Sequence, residues 1–441
     1  MLNILVRKYI YRYNNLMDKE VIKQIILRGQ QTLQNRTYIP REITLPFNEV
    51  LALDKVIAIV GPRRVGKTYY LRQIVDILQL SIQQMIFIDF SEIHSRDLRP
   101  EDFTQILTCY FELFSERKPF VLLDEIQGLV DFEPALKYLL NQKIPVIITG
   151  SNSKTLIPDM SSMLRGKVLP FHLMPLSFSE YLKFTDVDFT TTELYTEKGR
   201  GQFYRELNQF LNWGGFPEVV LTKNLDLKQH LIMSYIDTML FRDVVERHNI
   251  SNILALNELF YRMINSFTKE FSINKCYNTM RSQGIKVGKD TLHQYAAYLE
   301  ETLFIYQVEN SYSPRLQPKK VYLVDNGLYH YKKGTVEDRG KLFENRVFLD
   351  YYMSNPRMQF IKDQESEVDL LVPDTKELIQ VSLSFHEENI QRELASLLKQ
   401  HRFQPSKRTL ITYEAGVKAD ITIPDEITHY SYIDIFLDSR D

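Results

Sequence analysis

Residues 61–68, Gly61-Pro62-Arg63-Arg64-Val65-Gly66-Lys67-Thr68, have the spacing of a phosphate-binding loop, G-x-x-x-x-G-K-T. Glycines there let the backbone wrap so that successive N–H groups aim at phosphate oxygens. The positive end of a following helix adds to that field. Lys67 is placed to reach the β and γ phosphates and the Thr68 hydroxyl to ligate Mg²⁺. Gly61, Pro62, Arg63, Arg64, Val65, Gly66, Lys67, Thr68 and Tyr69 are therefore the candidate nucleotide-binding residues, with Arg63 and Arg64 facing either phosphate or solvent. A second group is Phe120-Val-Leu-Leu-Asp124-Glu125. Four apolar residues carry the acids to one edge of a sheet, where Asp124 would hold Mg²⁺ and Glu125 would orient or deprotonate the attacking water. A third is Thr149-Gly-Ser151-Asn152-Ser153, in which Asn152 or Ser151 could touch both the γ-phosphate and that water, unless the cluster only forms a turn. Arg165 in Leu164-Arg165-Gly166-Lys167 is either an arginine finger for a neighbouring subunit or a surface arginine.

These groups meet only if a parallel sheet gathers them. Short apolar runs at 56–60, 85–90, 119–123 and 144–149 read as buried strands. Helical spacing separates them at 69–80, 103–114 and 134–141, which implies right-handed crossovers around a parallel sheet.

The spacing divides the chain into five segments. Residues 1–17 are an N-terminal extension and 18–172 the nucleotide-binding core. Residues 173–249 follow helical spacing and read as a helical lid, with Trp213-Gly-Gly-Phe-Pro217 a strong turn. Residues 250–333 give three helices and a hairpin, the order of a winged helix-turn-helix, with Lys286, Lys289 and His293 at the recognition helix and Arg315, Lys319 and Lys320 in the wing. That basic face would suit phosphate contacts with duplex DNA, although such domains also bind proteins. Residues 334–441 read as a separate small α/β domain.

Bulk properties narrow the class. At 441 residues the chain exceeds one ordinary domain, and 44% hydrophobic with 25% charged residues is a soluble globular composition. A formal net charge of −2 gives no global attraction to nucleic acid, so DNA binding needs a local basic face. Cys109 and Cys276 alone exclude a disulfide framework and a zinc knuckle and fit a reducing cytosol. No apolar run reaches the roughly 18 residues of a membrane span, and the first residues do not read as a secretory signal.

With these motifs in place the chain resembles a family of bacterial and archaeal AAA+ ATPases. The matching text is Gly61-Pro-Arg-Arg-Val-Gly-Lys-Thr, Leu122-Leu-Asp-Glu-Ile-Gln127, Leu164-Arg-Gly-Lys167, Leu173-Met-Pro-Leu-Ser-Phe-Ser-Glu-Tyr181, Gly214-Gly-Phe-Pro-Glu218 and Phe241-Arg-Asp-Val-Val-Glu-Arg247. It continues through Glu365-Ser-Glu-Val-Asp369 and Gln380-Val-Ser382. The resemblance implies an AAA+ core, a winged helix and a nuclease-like C-terminal fold. In that last block Glu344, Asp369 and Gln380-x-Ser382 trace the layout of PD-(D/E)XK nucleases, which need carboxylates for Mg²⁺ and a lysine after the last acid. Here Ser382 stands at the lysine position and Gln380 at the acid before it, so a degenerate, non-cleaving fold is expected unless Lys362 or Lys376 substitutes. The expectation for the whole is a cytosolic Mg-ATP-hydrolysing AAA+ ATPase, able to form homo-oligomers, whose nucleotide state acts on DNA- or protein-binding modules. An ATP-gated switch with little turnover and an ATP-regulated DNA nuclease are the alternatives.

Overall fold

A computed structural model describes residues 16–42, 45–114, 118–151, 164–312, 318–331, 338–383, 387–414 and 422–438. The chain divides into two compact units, Met1–Leu173 and Met174–Asp441.

The first unit opens with α1 (Lys19–Gln34). Asp18 caps it, its carboxylate accepting from the Glu20 and Val21 amides at 2.9 and 3.4 Å. Ile22, Ile25, Ile26 and Leu33 fall on one buried stripe. That stripe packs against β2 (Met85–Asp89), where Gln30 Nε2 donates to the Met85 carbonyl at 2.8 Å. Gly29 has to be glycine, because a Cβ there would collide with the Phe87 carbonyl oxygen.

After α2 (Phe47–Leu51) come β1 (Val56–Val60), α3 (Lys67–Ile77), β2, α4 (Phe103–Phe114), β3 (Phe120–Asp124), α5 (Glu133–Asn141), β4 (Val146–Gly150) and β5 (Val168–His172). The five strands form one parallel sheet in the order β2-β3-β4-β1-β5. Strands β1, β3 and β4 are buried along their whole length, as continuous apolar runs in a sheet covered on both faces must be. Strand β5 is an addition to the sequence reading. It is only half-buried and carries Pro170, so no apolar run marks it, and an edge position tolerates the missing N–H.

The second unit begins with helices: α6 (Phe178–Phe184), α7 (Thr191–Leu194), α8 (Glu197–Trp213), α9 (Pro217–Leu221) and α10 (Leu225–Thr238). The last continues as a π-helical stretch, Met239–Glu246. Helix α8 stops at Gly214, whose φ is +75°. Next to it the buried Asp325 carboxylate accepts from the Gly215 and Gly327 amides at 2.6 and 2.8 Å.

Then follow α11 (Ile253–Asn265), β6 (Glu270–Phe271), α12 (Ile273–Ser282), α13 (Lys289–Glu301), β7 (Ile305–Val308) and β8 (Lys319–Leu323). The three strands form an antiparallel sheet in the order β6-β8-β7. The remainder is α14 (Arg339–Tyr352), β9 (Gln359–Lys362), β10 (Glu367–Val372), β11 (Glu377–Ser382), α15 (Glu387–Lys399), β12 (Lys407–Thr412), β13 (Thr428–Ser431) and α16 (Tyr432–Asp438). Its sheet runs β13-β12-β11-β10-β9, antiparallel on the β9 side and parallel on the β13 side. Strand β9 also goes beyond the sequence reading; four residues at a sheet edge leave too short a pattern to see.

Candidate functional site

The loop between β1 and α3 has the backbone its glycines call for. Gly66 sits at φ +92° and caps α3, whose first residue is Lys67. A Cβ on Gly61 would strike the Leu173 carbonyl oxygen, so that position is closed to larger residues. The loop is held from the N-terminal side by Arg41, which is buried. Its guanidinium donates to the Val65 carbonyl at 2.9 Å, while its backbone exchanges hydrogen bonds with Gln73 at 2.8 and 2.9 Å.

Lys67 is 4% exposed. Its ammonium donates to the carbonyls of Gly61 and Pro62 at 3.1 and 3.0 Å and lies 3.5 Å from Glu125 Oε1. Thr68 donates its hydroxyl to Asp124 Oδ2 at 2.5 Å. The other Asp124 oxygen accepts from Thr149 on β4, whose part in the site the motif spacing does not reveal. It faces Asp124 because β4 lies between β1 and β3, with Leu123 paired to Ile148 one residue earlier. Thr149 also accepts from the Glu125 amide at 2.9 Å.

The electrostatics follow from burial. Asp124 is 1% exposed, and burial, then the adjacent Glu125 charge, pushes its pKa up to about 6. Two neutral hydroxyls only partly offset this. Burial also pushes Glu125 upward, but the Lys67 and Arg63 charges and the Gln127 hydrogen bond outweigh it and hold that carboxyl below the usual range. Glu125 has a left-handed backbone, φ +51°, strained for a residue with a side chain. Gln127 Nε2 donates to its carboxylate and to Ser151 Oγ at 3.3 Å, so Gln127 ties the acid to the end of β4.

The structure thus gathers Lys67, Thr68, Asp124, Glu125 and Ser151 at the carboxyl edge of the sheet. Arg63 is half-buried within reach of Glu125's field, Arg64 is exposed at φ +69°, and Tyr69 is 48% exposed with the Arg36 guanidinium 5.3 Å from its ring centre. Arg165 is exposed in the turn before β5. Asn152 lies outside the described residues. For a divalent cation the donor set fits: a hydroxyl and a buried carboxylate, both hard oxygen ligands, the latter short of compensating charge.

The second unit corrects one assignment. Lys320, read from sequence as a wing residue facing phosphate, is 1% exposed on β8. Its ammonium lies 3.0 Å from Glu367, 3.2 Å from Asp369 and 3.4 Å from Glu344, and these three carboxylates draw it inward. Lys319 pairs with Glu309 at 3.0 Å, and Arg315 lies outside the described residues. Lys362 pairs with Glu270 and Glu367 at 2.7 and 3.1 Å.

Five parallel strands in this order, a phosphate loop after β1 and an acid pair ending β3 define a P-loop α/β core of the AAA+ class. Residues 53–182 match the family model of an AAA domain, and residues 204–339 match a domain of unknown function (DUF8612). The chain is similar to an uncharacterized protein of Methanocaldococcus jannaschii, 29% identical over 437 residues, covering 97% of this chain and 96% of the relative. An uncharacterized protein of Haemophilus influenzae is 25% identical over 375 residues, covering 81% and 89% respectively. Among solved structures, the Aeropyrum pernix ORC1 protein in complex with DNA aligns with a TM-score of 0.29 and 11% identity, over 74% of this chain and 98% of that one. Cdc6p from Pyrobaculum aerophilum aligns with a TM-score of 0.23 and 14% identity, over 67% and 93%.

Proposed function

We propose that this chain binds Mg-ATP at the carboxyl edge of its parallel sheet, hydrolyses it slowly, and uses the nucleotide state to alter C-terminal modules that contact DNA or protein. The observation that carries this reading is the convergence of Thr68 and Thr149 on the Asp124 carboxylate, with Lys67 and Glu125 paired beside it. Thr68 and Asp124 are the residues that would hold Mg²⁺, which when bound neutralises charge on the phosphate oxygens.

The chain's own residues supply the rest. A γ-phosphate competes with Glu125 for the Lys67 ammonium, and its arrival frees the Glu125 carboxylate to orient a water molecule. In the nucleotide-free protein Lys67 and Arg63 hold that carboxyl below the usual range, so it meets the phosphate in the ionised form a general base needs. Until the phosphate arrives, Lys67 and Gln127 hold Glu125, an arrangement that favours slow turnover and supports the second reading, an ATP-gated switch.

The later segments fit partner binding. The order of elements from α11 to β8 supports a winged-helix reading, and Lys286, Lys289 and His293 are exposed around the start of α13, where duplex DNA would meet them. Arg165 is exposed, as a residue serving a neighbouring copy must be. Cys109 and Cys276 are free and buried, in keeping with a reducing cytoplasm. No helix among the described residues is long and apolar enough to cross a membrane.

The test is nucleotide binding and single-turnover hydrolysis by wild type, Lys67→Ala and Glu125→Gln, each with and without duplex DNA across a salt series. Lys67→Ala is expected to lose nucleotide binding. Glu125→Gln should bind normally and turn over ~10²–10⁴-fold more slowly. Equal hydrolysis by wild type and Glu125→Gln would remove Glu125 from catalysis, and DNA binding without a salt slope would count against the basic face.

A further inference from the structure

Three carboxylates from two elements of the second unit converge on one point: Glu344 on α14, and Glu367 and Asp369 on β10. In a hydrolytic nuclease of similar layout such a cluster would seat a divalent metal ion. The donors present do not fit one. Lys320 reaches all three carboxylates from β8, and Tyr322, two residues along the same strand, donates its hydroxyl to Glu344 Oε1 at 2.9 Å. Lys362 takes the remaining oxygen of Glu367.

The second oxygen of Asp369 accepts from Gln380 Nε2 at 2.8 Å and from the Val381 amide at 3.1 Å. Gln380 cannot turn its carboxamide round to offer oxygen instead, because its Oε1 already accepts from the Asp369 amide and Nε2 also donates to Glu393 at 2.6 Å. A metal needs acceptors at the position where this chain presents donors.

We propose that the Lys320 ammonium is the resident cation of this cluster, taking the place of a divalent ion and making the C-terminal sheet a metal-free, non-cleaving module. Neither Lys362, paired with Glu270 and Glu367, nor Lys376, exposed in the turn before β11, stands in for the lysine missing at Ser382. A lysine from β8 instead offsets part of the carboxylates' charge and ties that strand to α14 and β10. Removing the ammonium would leave a carboxylate cage able to take a hard divalent cation. None of this depends on the nucleotide site.

The test uses the full-length, nucleotide-free protein titrated with Mn²⁺ and followed by electron paramagnetic resonance. Wild type and Asp369→Asn are expected to bind the same amount of Mn²⁺, so that any ion at the phosphate loop is common to both. Lys320→Ala should take up an additional Mn²⁺ per chain and lose it again in the Lys320→Ala/Asp369→Asn double variant. Mn²⁺ binding by wild type that depends on Asp369 would overturn the proposal, as would a folded Lys320→Ala that gains no ion. Should the variants not fold, amine acylation of native wild type followed by mass spectrometry decides. Lys320 should be modified on the order of a hundredfold more slowly than Lys362, which is 40% exposed, and comparable rates would overturn the assignment.

Discussion

Asp124 shows how one residue's surroundings can be tested without nucleotide. Its folded-state pKa of about 6 stands above the ordinary 3.8, so the folded state holds the proton more tightly than the unfolded one. Its contribution to stability is therefore full below the unfolded value and lost as pH rises through about 6, some 3 kcal/mol in all. Asp124→Asn should remove that dependence. Nucleotide-free Asp124→Asn should melt above wild type at pH 8, and the gap should close as pH falls below about 6; a gap that widened instead would contradict the buried, under-compensated carboxylate. At this scale the sequence was informative where chemistry is local. Gly61 to Thr68 and the Asp124-Glu125 pair each lie on one short stretch, and the structure brings them together. Thr149 and Gln127 lie within motifs but had no role there, and Arg41 carried no signal, since their roles depend on which strands and helices become neighbours. Lys320 was misread for the same reason: its partners Glu344 and Asp369 lie 24 and 49 residues further along, and a basic residue in a hairpin looks solvated until they are known.

At the scale of elements, strands with continuous apolar runs were legible, β2 at a sheet edge among them, whereas β5 and β9, only partly buried, left no such run. The turn that ends α8 was visible as Trp213-Gly-Gly-Phe-Pro217, yet its need for glycine has a cause outside the turn. Gly214 adopts φ +75°, and a Cβ there would run into the Asp325 carboxylate, which is itself fixed by the Gly215 and Gly327 amides. Gly214→Ala thus meets both backbone strain and a steric clash with a buried acid. We expect it to cost on the order of 3 kcal/mol, read as a lower denaturant midpoint. Gly201, in mid-α8 with nothing within 4 Å of its would-be Cβ, is the control: Gly201→Ala should stabilise the helix by up to about 1 kcal/mol.

At the scale of the whole molecule, two compact units with separate apolar cores should unfold as more than one calorimetric transition. Mg-ATP at a hundred times its dissociation constant should raise the stability of the unit carrying residues 1–173 by about 2.7 kcal/mol. A scan in which nucleotide moved neither transition would count against binding at the phosphate loop. One feature of the first unit bears on how the chain behaves in company. Strand β2 ends the sheet, and the Met85 and Phe87 carbonyls, two residues apart, both meet α1, through the Gln30 carboxamide and at Gly29. Helix α1 thereby occupies a row of acceptors that another chain's strand could otherwise use. A version beginning at Phe47 would expose that row, and we expect it to self-associate through β2, growing in light scattering with concentration, while Gln30→Ala alone stays monodisperse under the same conditions.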